Sequence, residues 1–338
     1  MMKIKIFLLM AFWFALCAHV FADEAGSRAS YTRGGWAGAR YVAAGQCGVV
    51  LADDVYSIYW NPAGLSELKS TKKAISEDIF ERARSGNVQS ITEEELLNFS
   101  KPASEMNVVD IGISGAMLDV DRNVLFAGCA FGLFDGVIGF GAYNISSFDI
   151  PSYDESGTST GKSNYSGSVG YISYGISLGA AAIGVSVKGL YERIGEYSYA
   201  GVGLDAGSQI FVLPFLKLGF AAYDLGAGLK PLDDDGGNLE NKYDLGYPSF
   251  RINAAAISEI GFTISFGLVK KLEQSDYFFT FGVQYDVKKF LSIYAGMCDS
   301  EFSAGLAVKA FNCEISYAFV FDNINGGANN VVSASIFF

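Results

Sequence analysis

The chain has 338 residues, a formal charge of -12 and a single histidine, His19. So acidic a chain lacks the basic face a nucleic-acid partner would require. His19 falls inside what reads as a removable leader. The rest of the chain therefore has no imidazole for a Ser-His or Cys-His nucleophile pair or for the commonest zinc sites, and neither an enzyme, a metal nor a cofactor is expected.

Residues 1–22 read as a secretory signal: Lys3 and Lys5 form a basic start, Ile6 to Leu16 are almost wholly apolar, and Val20-Phe21-Ala22 offers a small-residue cleavage site. Its removal takes the charge to about -14. Half the residues are hydrophobic, 14% are aromatic and 40 are glycine. Beyond the signal, however, no apolar run is long enough for a membrane-spanning helix. Such a chain buries its apolar residues either in a large soluble β-protein or on the outside of a barrel facing lipid.

Residues 23–68 form the second segment, dense in Gly and Ala and centred on Ala52-Asp53-Asp54-Val55-Tyr56-Ser57-Ile58-Tyr59-Trp60-Asn61-Pro62-Ala63-Gly64-Leu65. Asn61-Pro62 dictates an extended residue followed by a turn, and Gly64 permits a sharp reversal. A buried plug without regular structure needs such local bonding to satisfy its backbone. Residues 69–106 are charged and helical in pattern. Ile75, Ile79 and Ala83 share a face, Gly86 is a stop signal, and Thr92-x-x-Glu95 is a capping box before Leu96 and Phe99. This insertion is expected at the periplasmic mouth.

From residue 107 to 338 the signal is period-two alternation in segments of eight to twelve residues, bounded by Gly, Asp, Asn or Pro. Ile183, Val185 and Val187 alternate with Gly184, Ser186 and Lys188. Cys313, Ile315, Tyr317, Phe319 and Phe321 alternate with Glu314 and Ser316. Tyr277 and Tyr285 bracket another such segment, about 27 Å apart along an extended chain, which suits two interfacial girdles. About fourteen strands are counted, an even number, as a closed antiparallel barrel requires. The long polar stretches Ser146–Asn164, Ala227–Tyr247 and Asp322–Asn330 follow strands 3, 7 and 13, so all lie at one end of such a barrel. The inward faces are not those of a water-filled porin: Phe126, Gly128, Ala130 and Gly132 alternate with Leu125, Ala127, Cys129 and Phe131. They suit an apolar ligand or a packed plug.

Two motif matches are refused. Gly175-Ile-Ser177-Leu-Gly179 sits in an alternating strand with no histidine to activate its serine. The acidic run Asp233-Asp234-Asp235 with Asn238 and Glu240 reads as a solvated loop tip before it reads as a calcium site.

The 52–65 stretch closely resembles the N-terminal hatch of the FadL superfamily of outer-membrane transporters and its PorV-like relatives, with Asp53, Asp54, Trp60, Asn61, Pro62, Ala63 and Gly64 as the hatch motif. The C-terminal Val332, Ala334, Ile336, Phe338 strand resembles the aromatic ending of bacterial outer-membrane proteins. The resemblance implies an all-β, membrane-spanning antiparallel barrel of about 14 strands in the outer membrane of a diderm bacterium, with the hatch in the lumen. It also implies passive uptake of long-chain fatty acids or similar hydrophobic compounds, gated by the hatch and with lateral release into the bilayer. On the alternation, Arg251, Lys188, Lys217 and Lys309 point inward and are candidate partners for a ligand carboxylate, each in competition with inward acids such as Glu192, Asp205, Asp286 or Glu314. In the FadL family a break in strand 3 opens the sideways path, which makes Gly139 and Gly141 candidates for a gate here. The alternative role is a non-transporting barrel that docks secretion partners or serves as a surface protein. The expected partners are membrane lipid and a hydrophobic small molecule.

Overall fold

The computed structural model describes residues 35–68 and 109–338, apart from 120, 155, 214, 233–243, 246–247, 259, 273–276, 289 and 322–326. The signal segment, the 69–106 insertion and the acidic run at 233–240 lie outside the described residues.

Fourteen antiparallel strands close into a barrel. They are β1 (Val109–Leu118), β2 (Arg122–Leu133), β3 (Gly136–Tyr153), β4 (Ser159–Leu178), β5 (Ala181–Ile194), β6 (Tyr197–Leu213) and β7 (Leu216–Pro231). The second half comprises β8 (Ser249–Ile257), β9 (Phe262–Lys271), β10 (Tyr277–Lys288), β11 (Leu291–Cys298), β12 (Glu301–Ala310), β13 (Cys313–Phe321) and β14 (Ala328–Phe337). Each strand pairs with its sequence neighbours, and β1 closes the ring on β14 from Asp110↔Phe337 to Met117↔Asn330. A two-residue strand, Asp244–Leu245, adds to the edge of β7. Closure leaves no unpaired sheet edge, the condition for a sheet to cross hydrocarbon.

Alternation sorts side chains across the wall. Ile113, Val185, Ile252, Phe279, Ile315 and Val332 stand exposed on the outside, whereas Ser114, Ser186, Asn253, Thr280, Glu314 and Ser333 are buried on the inside. An outer surface this apolar is at home only in lipid. The start of β1, the finish of β14 and the turns after the even-numbered strands share one end of the barrel, the inner end.

One stretch that reads as a loop in the sequence is largely strand, and so is the start of another. β3 continues to Tyr153 and β4 begins at Ser159, pairing through a bulge between Ser147 and Ile150. β7 continues to Pro231 opposite Tyr199. Above the membrane both faces are wet, so hydrophobic alternation fades while the backbone ladder continues. Asp149, at φ 59, makes the bulge, and its N–H donates to Asn164 Oδ1 at 3.1 Å. At 20 residues, β4 is roughly 65 Å of extended chain. That far exceeds a hydrocarbon layer.

The lumen holds the hatch: α1 (Ala39–Ala43), α2 (Gly48–Leu51), α3 (Ser57–Trp60) and a 3-10 segment, Pro62–Glu67. Nearly all of it is buried, with Trp60, Tyr41, Ile58 and Leu65 among the most enclosed side chains of the protein.

Candidate functional site

The hatch lacks long regular structure, so its backbone groups need partners, and the inward polar residues of the wall supply them. The N–H of Gly38 donates to Ser114 Oγ (3.1 Å), that of Ala39 to Ser333 Oγ (2.9 Å) and that of Val55 to Asp110 Oδ2 (2.9 Å). Ser303 Oγ donates to the Ala43 carbonyl, and Gln209 Nε2 donates to the carbonyls of Val49 and Ala52. The wall's inward glycines make the close approach sterically feasible. A Cβ on Gly184 would lie 2.3 Å from Ala63 N and Pro62 C; on Gly282, 2.3 Å from Ala44 O; on Gly207, 1.9 Å from Asn61 Oδ1.

Within the motif, Asn61 is the rivet. Its Nδ2 donates to the carbonyls of Val49 (2.7 Å), Ser208 (3.1 Å) and Phe220 (3.4 Å), and its Oδ1 accepts from the Ala63 N–H. Ser208 and Phe220 face each other across β6 and β7, so this one side chain ties two hatch segments to one seam of the wall. Pro62 opens the 3-10 segment, and Gly64 sits where a Cβ would lie 2.3 Å from Ala52 O. Trp60 donates from Nε1 to Ala37 O at 2.6 Å, while its own carbonyl accepts from Tyr223 Oη. Ala63 is fully buried beside it. Asp53 and Asp54 both pair with Arg40, which also lies 3.8 Å from Glu314 of β13. Burial opposes the Arg40 charge, but Asp53, Asp54 and Glu314 outweigh it and hold the guanidinium protonated. The acidic pair of the motif is thus an internal clamp that joins the hatch to the inner end of the wall.

The four inward cations divide sharply. Lys188 is fully enclosed, 2.8 Å from Asp205 and also paired with Asp224. Lys217 meets Glu67 of the hatch at 2.6 Å, and Lys309 meets Glu314 at 3.6 Å. Arg251 has no ion pair among the described residues. Its Nη1 is buried without a hydrogen-bond partner there, and its guanidinium lies over the rings of Trp60 (5.4 Å) and Tyr223 (6.0 Å). Cys47 of the hatch lies nearby, its thiol pushed up by burial and inert. The structure does not bring the four cations into one cluster; it leaves one of them uncommitted. Asp224 and Glu67 as partners, and Trp60 as the floor beneath Arg251, were not apparent in the sequence.

Gly139 and Gly141 stand in an unbroken stretch of β3, paired with Ala130 and Gly128 on one side and with Ser173 and Tyr171 on the other. Both face Ile58 of the hatch, where a Cβ would lie within 2.8 Å. Gly112, Gly128 and Gly141 sit side by side across β1, β2 and β3. On the outer surface of the same strip is an apolar groove of about 790 Å³, lined by Ala127, Cys129, Phe140, Ala142, Ile111 and Ala334 among others.

No family model and no curated protein matches the sequence. The fold does find solved relatives. The toluene transporter TodX of Pseudomonas putida aligns over 89% of this chain and 96% of its own, with a TM-score of 0.54 and 13% identity. The toluene transporter TbuX of Ralstonia pickettii aligns over 89% and 97%, at 0.53 and 11%, and a Pseudomonas aeruginosa FadL homologue over 90% and 97%, at 0.50 and 10%. The barrel has the FadL-like fold. In this FadL-like barrel the fourteen strands and the short N-terminal helices in the lumen fit the fold that the resemblance at residues 52–65 implied.

Proposed function

We propose that the protein is an outer-membrane channel for passive uptake of long-chain fatty acids or similar hydrophobic compounds bearing an acidic head, gated by the hatch. The observation that carries this reading is Arg251: a guanidinium within the lumen, over Trp60 and Tyr223, with an unpartnered Nη1. Lys188, Lys217 and Lys309 already have carboxylates. A cation left without an anion in a desolvated site favours an incoming carboxylate, and aromatic rings beside it suit the first part of an apolar tail. Relatives of the same fold transport toluene, which has no charge. Arg251 is what adds a preference for acids.

For release we assign the strip formed by Gly112, Gly128, Gly139 and Gly141. With Val55 and Ile58 in place its inner face is filled; with the hatch withdrawn, that face keeps only the Phe126 ring beside Gly128 and Gly141, and the apolar groove lies on the lipid side. A hydrophobe leaving there never crosses water.

The test is fatty-acid binding to the purified barrel, measured by native mass spectrometry and by displacement of a fluorescent fatty acid. Arg251→Ala is expected to weaken binding roughly 10- to 100-fold, the value of a charge-assisted hydrogen bond, and Arg251→Lys to recover part of it. A wild-type barrel that binds no fatty acid at micromolar concentration overturns the assignment, as does an Arg251→Ala barrel that binds as the parent does.

A further inference from the structure

The inner turns are short, and every one of them carries a bulky apolar residue at or beside its tip. These are Phe134 between β2 and β3, Leu178 between β4 and β5, Phe215 between β6 and β7, Ile260 between β8 and β9, Phe290 between β10 and β11, and Phe311 between β12 and β13. Phe338 at the end of the chain makes a seventh. All are exposed: 79% for Phe134, 73% for Ile260 and 102% for Phe311. The opposite rim is different among the described residues. Its tight turns carry Asp119 and Asp121, Gly195 and Glu196, Asp299 and Ser300 at their tips, and its exposed apolar residues, Phe148, Leu232, Leu272, Phe302 and Phe321 beside Tyr153, Tyr197 and Tyr277, stand on the strands or at their ends.

Turn conformation alone does not select these residues. Phe134 (φ 54) and Phe311 (φ 52) occupy the left-handed region, where Asn, Asp and Gly are the easy choices and a bulky side chain is unusual. The adjacent Asp135 and Asn312 would serve those positions at less cost. Something outside the chain therefore rewards a phenyl ring at the tip.

We infer that the inner rim is an apolar collar sunk into the inner leaflet of the membrane, at the boundary between headgroups and acyl chains. The collar continues the lipid-facing band of the wall without interruption: Phe290 borders Ile293, and Phe311 borders Cys313 and Ile315. Tyrosine, with its polar tip, belongs at headgroup level, whereas phenylalanine has no such tip and gains only where water is excluded. Polar tips on the tight turns of one rim and apolar tips on the turns of the other place the inner rim deeper. Lys288 lies over the Phe290 ring at 5.8 Å, its stem alongside the apolar tip and its charge free to reach the phosphates.

Depth is read directly by tryptophan fluorescence in the full-length barrel reconstituted into phosphatidylethanolamine and phosphatidylglycerol vesicles. Phe311→Trp and Phe134→Trp are made singly, Glu196→Trp at the opposite rim serves as the water-facing reference, and the parent spectrum is subtracted. Folding is verified for each by heat-modifiable migration on gels. The expected result is a blue-shifted indole at both inner turns that loses more than half its intensity to lipids brominated near the headgroup and less to lipids brominated at the chain end. Indole emission like that of Glu196→Trp, quenched by aqueous iodide and not by brominated lipid, overturns the collar and leaves the rim as a surface for a periplasmic protein.

Discussion

Asn61 Nδ2 reaches carbonyls on the hatch at Val49 and on two wall strands at Ser208 and Phe220, all in a region closed to solvent. Truncation strands these acceptors, at a cost of about 1–3 kcal/mol for a buried group left unmet. Asn61→Ala is expected to speed proteolytic clipping of the hatch in folded barrels severalfold, with Asn61→Asp at least as severe because a carboxylate would face carbonyl oxygens. Equal clipping rates in parent and variants would remove Asn61 from this role. The same scale shows what sequence reading can reach. The inward direction of Lys188 follows from strict alternation with Val185 and Val187, and Asp205 was foreseen among its competitors. Asp224 was not, because the bulges of β7 at Asp224 (φ 56) and Gly226 (φ 62) turn Tyr223 and Asp224 inward together, and alternation carries no sign of a bulge. Glu67 as the partner of Lys217 joins residues 150 positions apart, a pairing that no local pattern encodes.

At the scale of elements, hatch and wall are complementary in an uneven way. The wall contributes absence, with glycines wherever hatch backbone passes, and the hatch contributes bulk. Gly184→Leu and Gly282→Leu place side chains where Pro62 and Ala44 now lie, whereas Gly189→Leu has nothing within 4 Å. The first two are expected to displace the hatch while the barrel stays folded, raising ion conductance in planar bilayers well above the parent level, with Gly189→Leu unchanged. Silent channels in all three would show that the hatch does not set the closed state. The strands themselves were legible because one face meets lipid and the other a packed lumen, a contrast that writes period two into the sequence. The extensions of β3, β4 and β7 beyond the membrane lack that contrast and so looked like loops.

For the whole molecule, cohesion rests on the closed ladder and the filled lumen rather than on covalent staples. Cys47, Cys129, Cys298 and Cys313 are all free. Unfolding temperature, read as the shift from fast- to slow-migrating bands on heating, is expected to be identical with and without reductant. A drop under reduction would reveal a disulfide that the free thiols contradict. The two rims differ in kind, one tall with polar tips on its tight turns, the other level with apolar tips, so the barrel has a built-in sense of direction in a bilayer.

The seam between β1 and β14 bears on how the molecule is made. Hatch atoms lie on both sides of that seam: Gly38 and Val55 are held by β1, Ala39 by β14, and Tyr56 Oη donates to Ile113 O and Ala334 O across it. Wall glycines press directly on the hatch backbone, as Gly184 does on Pro62 and Gly282 on Ala44. Joining the last strand to the first is therefore the step that completes the hatch's seat. Until that joint forms, the plug has only part of its lining in place.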